Sequence, residues 1–354
     1  MPTYAQEGKR HCIPVESAHL QRPLNRMSPR YLTVFLLFCL LPACAAESQQ
    51  DFVNVEGQKI SYAEFGSGPT IVLLHGLWGG LNEWSPIIDA LSESHRVIAM
   101  DFIGFHDSDK PDLKYSNEVL SRYLAGFISA LGLRDVTLMG HAMGANAATY
   151  TAVHHPENIS RLVLIDGAGY RNPNRDLSKP PSEGMLRFRK IATGDTLEST
   201  RGLLERRLLD KSLVTEEWVE ESLDMWRNSA QAIGDMLFEG GDLTEDEMRQ
   251  IGLPTLVVWG SDDAVFPIEN AERLHADIEG AQVRVIDGSG HLPQIENPEE
   301  FLSAVIPFLM EVATVPPYPG GVPNDLEPVD VIPTEEIEEL DPGMLELPET
   351  EDPH

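Results

Sequence analysis

Short apolar runs alternate with helix-spaced segments along the middle of the chain. Six of the runs are continuous and rich in β-branched residues: 70–74, 96–100, 136–139, 162–165, 255–259 and 282–286. Such runs suit strands of a parallel sheet covered on both faces. Residues 51–65 instead alternate apolar and polar positions and close on the turn signal Gly66-Ser67-Gly68-Pro69, which reads as strand. Residues 117–131 place Leu120, Leu124, Phe127 and Leu131 at helical spacing, and residues 269–278 and 298–312 are helical by the same criterion.

Strand-helix alternation specifies an α/β fold with right-handed crossovers. The alternation breaks between Gly169 and Gly252, where four helical stretches follow one another: 184–192, 196–209, 215–227 and 230–238. Thr215-Glu216-Glu217-Trp218 is a helix start, a capping oxygen followed by acids at the positive end of the dipole. This insertion is expected over the carboxyl edge of the sheet, where open α/β sheets bind ligands. It reads as a lid that shapes a pocket, with a plain packing layer as the alternative.

The two ends differ from the body. Arg26, Met27 and Arg30 precede an apolar run over residues 31–41, then Pro42-Ala43-Cys44-Ala45-Ala46. A charged lead, a short apolar run and small residues form a secretory signal. About 11 apolar residues are too few to span a bilayer. Met27 is an alternative start to Met1. Leu41-Pro42-Ala43-Cys44 also resembles a bacterial lipobox, which implies membrane attachment through a lipid on Cys44; ordinary cleavage near Ala45 or Ala46 is the alternative. Either way the expectation is an exported protein: periplasmic, secreted or envelope-anchored. Residues 315–354 carry 12 acids, no Lys or Arg, and prolines throughout, so they are expected to be self-repelling and disordered. The predicted organisation is a targeting segment (1–46), a first core part (51–169), a helical lid (170–252), a second core part (253–314) and the acidic tail (315–354).

Charge and cysteine narrow the chemistry. The 354 residues carry a net charge of -31, from 57 Asp and Glu against 26 Lys and Arg, which argues against nucleic acid or an anionic membrane surface as partner. Cys12, Cys39 and Cys44 are the only cysteines, so the body holds no disulfide, thiolate metal site or cysteine nucleophile. No phosphate-binding glycine loop or helical histidine pair at ligand spacing occurs, so no cofactor or metal is implied.

The run 136–139 leads into Gly140-His141-Ala142-Met143-Gly144 and then the small residues Ala145, Ala147 and Ala148. This has the shape of G-x-S-x-G, a sharp strand-to-helix turn that lifts one side chain above a sheet. Its apex is Ala142, which has no oxygen. Four further motifs flank it, each following a strand: His75-Gly76-Leu77-Trp78-Gly79-Gly80, Asp101-Phe102-Ile103-Gly104-Phe105-His106-Asp107-Ser108, Trp259-Gly260-Ser261-Asp262-Asp263, and Gly288-Ser289-Gly290-His291. Five motifs in this order resemble the α/β-hydrolase superfamily over residues 52–313, and within it the lid-bearing esterases, lipases and carbon-carbon bond hydrolases.

The resemblance implies a mostly parallel sheet covered by helices on both faces. It implies His291 as general base and Asp263 as the acid that orients it, with Asp262 and Asp166 as competing acids. A base and an orienting acid are needed because a hydroxyl attacks only once its proton is removed. The backbone N–H groups of Leu77 and Met143 are implied as the oxyanion hole. His75 is expected to brace its loop, and Trp78 and His141 to line the pocket. His106 stands where the family carries glycine, so its side chain either bulges outward or enters the cleft.

Ala142 stands where the family carries its serine nucleophile. No serine lies between Gly140 and Tyr150, and Thr149 and Tyr150 fall along the helix. Three readings stay open: an inactivated serine enzyme, a pseudo-hydrolase that binds a ligand or partner, or an enzyme in which His291 and Asp263 act on water or on an acidic substrate proton. Small apolar esters or related carbonyl compounds are the implied ligand class.

Overall fold

The computed structural model describes residues 50–311, except residue 168 and residues 171–179 and 240–242. The segment read as a targeting signal, with Cys44, and the acidic tail therefore lie outside the described residues.

Eight strands form one sheet: β1 (Gln50–Val55), β2 (Gln58–Gly66), β3 (Thr70–Leu74), β4 (Arg96–Met100), β5 (Val136–His141), β6 (Ile159–Ile165), β7 (Thr255–Gly260) and β8 (Gln282–Ile286). Their order is β1-β2-β4-β3-β5-β6-β7-β8. β1 and β2 are antiparallel to their neighbours, and every pairing from β4 onward through β8 is parallel. The stretch read as one strand is a hairpin. Glu56 and Gly57 both take positive φ, 52° and 85°, which suits a two-residue turn whose twist matches the strands.

Side chains alternate between two cores, as a two-sided sheet requires. Val72, Leu74, Ile98, Met100, Leu138, Leu162 and Leu164 face one, and Ile71, Leu73, Val97, Ala99, Met139, Val163 and Ile165 the other. Helices Asn117–Ala130, Met143–His154 and Glu269–Asp277 and helices Ser85–Ser92 and Pro298–Met310 supply covering residues to the two cores respectively. Ser85–Ser92 was not singled out by the sequence pattern.

β3 lies between β4 and β5, so the chain leaves β3 toward one side and returns from β4 to the other. The carboxyl ends of β3 and β5 thus flank a topological switch point, the place where open α/β sheets bind ligands. Between β6 and β7 run helices Glu183–Ala192, Leu197–Arg207, Glu216–Asn228 and Ala230–Glu239 and the short helix Glu245–Met248. Ser182, Thr196, Thr215 and Thr244 cap four of these with side-chain oxygens. The helical insertion reaches the switch point: Trp78, after β3, donates from Nε1 to Ala192 O at 2.9 Å, and Trp226 donates to Trp78 O at 3.2 Å.

Candidate functional site

The turn after β5 sets the centre of the site. Ala142 takes φ 48° and ψ −110°, a conformation an L-residue rarely adopts and one that costs about 1–3 kcal/mol. Its neighbours enforce the turn. A Cβ at Gly140 would lie 2.4 Å from Gly144 O, and one at Gly144 would lie 2.0 Å from Leu74 O, so only glycine lets helix and strands approach. Met143 is the first residue of the helix and Leu77 lies in the loop after β3. Neither backbone N–H donates a hydrogen bond among the described residues. These are the two donors that the resemblance assigns to an oxyanion hole.

His291 sits in the loop after β8, 3% exposed. Its Nδ1 lies 2.8 Å from Asp263 Oδ2. Asp263 Oδ1 accepts from the N–H of Val265 at 2.7 Å and of Phe266 at 3.0 Å, so the carboxylate is fixed before it meets the ring. Burial would raise the Asp263 pKa; the hydrogen bond and charge of His291, with those two N–H donors, override it and hold the group below its usual value. Burial pushes His291 down to about 4, against the Asp263 hydrogen bond that favours its charged form. The ring is therefore neutral at neutral pH. With its proton on Nδ1 facing Asp263, the lone pair of Nε2 is left to act as a base.

The geometry separates the three acids. Asp262 is exposed and pairs with Ser261. Asp166 follows β6 at φ 45°, fully buried, and accepts from Gly260 N–H at 2.9 Å. Burial first, then the Asp263 charge, raises its pKa well above that of an ordinary carboxyl. Asp263 alone of the three faces His291 Nδ1.

His141 is placed differently from the pocket-lining position expected of it. It is fully buried. Its Nε2 donates to the backbone carbonyl of His291 at 2.8 Å, and its Nδ1 lies 2.7 Å from Glu83 Oε1. Both ring nitrogens thus face protein acceptors, and the ring is held between them. Glu83 also takes Gln294 Nε2 at 3.1 Å and Gly76 N–H at 3.3 Å. One buried carboxylate thereby ties together the loop after β3, the turn after β5 and the loop carrying His291. Burial would raise the Glu83 pKa, but the His141 charge overrides it and brings the group down to about 2.

The remaining candidates are braces. His75 accepts from Phe102 N–H through Nε2 at 3.1 Å and donates from Nδ1 to Gly76 O at 2.7 Å. His106 adopts φ 42°, contacts Gly79 O through Nε2, and its backbone N–H donates to Ser229 Oγ at 3.1 Å. A Cβ on Gly80 would collide with its ring, so glycine at 80 makes room for histidine at 106. Thr149 hydrogen-bonds to Asn146 O along its own helix. Two clusters approach metal-ligand spacing, His75–Asp101–His106 and His141–Asp166–His291. In each, one histidine already has both ring nitrogens engaged by the protein, so a metal would have to displace those contacts.

Two residues were missed by sequence reasoning, Glu83 and Arg207. Glu83 is a lone acid in the short 3-10 helix Leu81–Trp84, and its only trace in the sequence is Gly79, where a Cβ would lie 1.7 Å from Glu83 Oε2. Arg206-Arg207 at a helix end reads as an ordinary complement to the helix dipole. In the fold Arg207 is 4% exposed, and its carbonyl accepts the His291 N–H at 2.7 Å.

Comparisons with known proteins agree on the family. A sequence family described as alpha/beta hydrolase fold matches residues 69–298. The chain is 30% identical to a 2-hydroxy-6-oxo-6-(2'-aminophenyl)hexa-2,4-dienoic acid hydrolase of Metapseudomonas resinovorans, over 75% of this chain and 92% of that protein. Among solved structures it is similar to a serine-to-alanine mutant of a meta-cleavage product hydrolase from Pseudomonas fluorescens IP01, complexed with acetates. That match has a TM-score of 0.64 and 27% identity, covering 73% of this chain and 97% of the other. It is also similar to a membrane phospholipase A described as a bacterial virulence factor, with a TM-score of 0.66, 28% identity, and coverage of 74% and 86%.

Proposed function

The chain belongs to the α/β-hydrolase fold family, and we propose that it is a ligand-binding member without serine-type hydrolysis, holding a small ester or other carbonyl compound. One observation carries this reading: the strained apex presents the methyl group of Ala142, while the base pair His291–Asp263 is set at 2.8 Å. The carbonyl oxygen of the ligand rests against the N–H groups of Leu77 and Met143. The relative from Metapseudomonas resinovorans is named as a hydrolase of an oxo-dienoic acid, which supports a carbonyl ligand. Ala142 stands at the nucleophile position, so no acyl-enzyme forms there.

A second reading has its own observation. His291 is neutral down to about pH 4, and its Nε2 makes no hydrogen bond among the described residues. A water beside Nε2 would attack the carbonyl carbon; its proton passes to Nε2 and then to the leaving group.

One set of assays on short p-nitrophenyl esters separates the two. The binding reading expects no turnover by wild type, and turnover by Ala142→Ser higher by on the order of 10³-fold or more. Wild-type turnover that disappears in His291→Ala would instead establish the water mechanism. An inactive Ala142→Ser that still binds an apolar ligand would show that the site has moved away from hydrolysis altogether.

A further inference from the structure

Arg207 closes the helix Leu197–Arg207 and is 4% exposed. Its position is fixed at both ends. Its carbonyl accepts the N–H of His291, and a Cβ at Gly290 would lie 2.9 Å from that carbonyl oxygen, so the backbone is pressed against the base loop. Its guanidinium lies 5.7 Å from the ring centroid of Trp78, the residue after Leu77. The side chain therefore runs from the base toward the loop that supplies an oxyanion donor.

A buried guanidinium presents five N–H donors in a planar fork and is retained in an interior only with compensation. Here Nε has no hydrogen-bond partner, and the guanidinium makes no ion pair among the described residues. The carboxylates whose charge it feels are Glu83 and Asp263. Both are committed elsewhere: Glu83 to His141, Gln294 and Gly76, and Asp263 to His291, Val265 and Phe266. The fork is left without a protein acceptor at the edge of the site.

We propose that Arg207 is an anion-recognition residue and that the ligand of this site carries a carboxylate next to the carbonyl that faces Leu77 and Met143. This deepens the ligand-binding reading above and rests on it. A carboxylate fits better than a phosphate. It is planar and matches the guanidinium fork with two parallel hydrogen bonds. It also adds a single negative charge, where Glu83 and Asp263 already supply two to the same interior. The ligand class therefore moves from apolar esters to small acids and half-esters, with Trp78 packing against the ligand beside the fork.

The test is calorimetric binding of benzoate and of its uncharged isostere benzamide to the full chain. In wild type, benzoate should bind more tightly than benzamide by about tenfold or more. Arg207→Met should erase that preference while leaving benzamide affinity unchanged, and Arg207→Lys should retain part of it. Equal affinities in wild type, or an undiminished preference in a folded Arg207→Met, would overturn the assignment. Binding of benzamide reports on the pocket separately: if neither compound binds, the ligand-binding reading falls and this inference with it.

Discussion

His291 and His141 lie 4.8 Å apart, ring centroid to ring centroid, and each presents Nδ1 to a buried carboxylate. The distances are nearly equal, 2.8 Å to Asp263 and 2.7 Å to Glu83. What differs is the second nitrogen. Nε2 of His141 donates to a backbone carbonyl, so the ring serves as a strut. Nε2 of His291 has no partner among the described residues, so the ring keeps a lone pair for chemistry. A histidine beside a carboxylate is thus not yet a base; the group opposite decides. The strut also acts on the base, because the carbonyl it holds belongs to His291.

Breaking the base side should have the largest effect. In an Ala142→Ser background, Asp263→Asn should lower kcat by about 10⁴-fold, as loss of an orienting acid does when the wrong tautomer results. A drop of less than tenfold would show that Asp263 does not set the tautomer. Breaking the strut should instead appear in stability. Glu83→Ala leaves Gln294 Nε2 and the Gly76 N–H buried without their acceptor, at about 1–3 kcal/mol for each unsatisfied group, and chemical denaturation should register it. If stability is unchanged, Glu83 does not tie the three segments together.

A smaller effect separates the pairs by pH. Burial depresses His291 from 6.5 to about 4. The acid limb of kcat/KM in Ala142→Ser should therefore lie near pH 4, with activity lost as pH falls through that value. The same depression contributes to stability in a fixed direction. Between about 4 and 6.5 the unfolded chain binds the proton that folded His291 refuses, so this group's contribution rises with pH across that window and is complete above it. An acid limb near 6.5 would mean that the ring is not desolvated as described.

The fold was largely legible because the sheet is buried on both faces and its strands are continuous apolar runs. The inserted helices were legible through their spacing and, at Thr215, through a cap that the fold confirms. The hairpin at Glu56-Gly57 was missed because residues 51–65 keep a strand-like composition on both sides of the turn. At the site, His291 and Asp263 could be named because glycine-bounded turns mark them. The sequence already favours Asp263 over Asp262 and Asp166, and the fold adds the contact with His291 Nδ1 that the other two lack. Glu83 and Arg207 left almost no trace. Their roles depend on contacts across 58 and 84 residues of chain, Glu83 to His141 and Arg207 to His291, and no local pattern encodes such contacts.

The central claim is that the site lacks a nucleophile and nothing else. Purified wild type and Ala142→Ser, assayed side by side for p-nitrophenyl acetate turnover with burst-phase detection of an acyl-enzyme, test it most directly. The account predicts a burst and steady turnover in Ala142→Ser that are abolished by adding His291→Ala, and no burst in wild type. A folded Ala142→Ser protein that binds ligand yet shows neither burst nor turnover would contradict it.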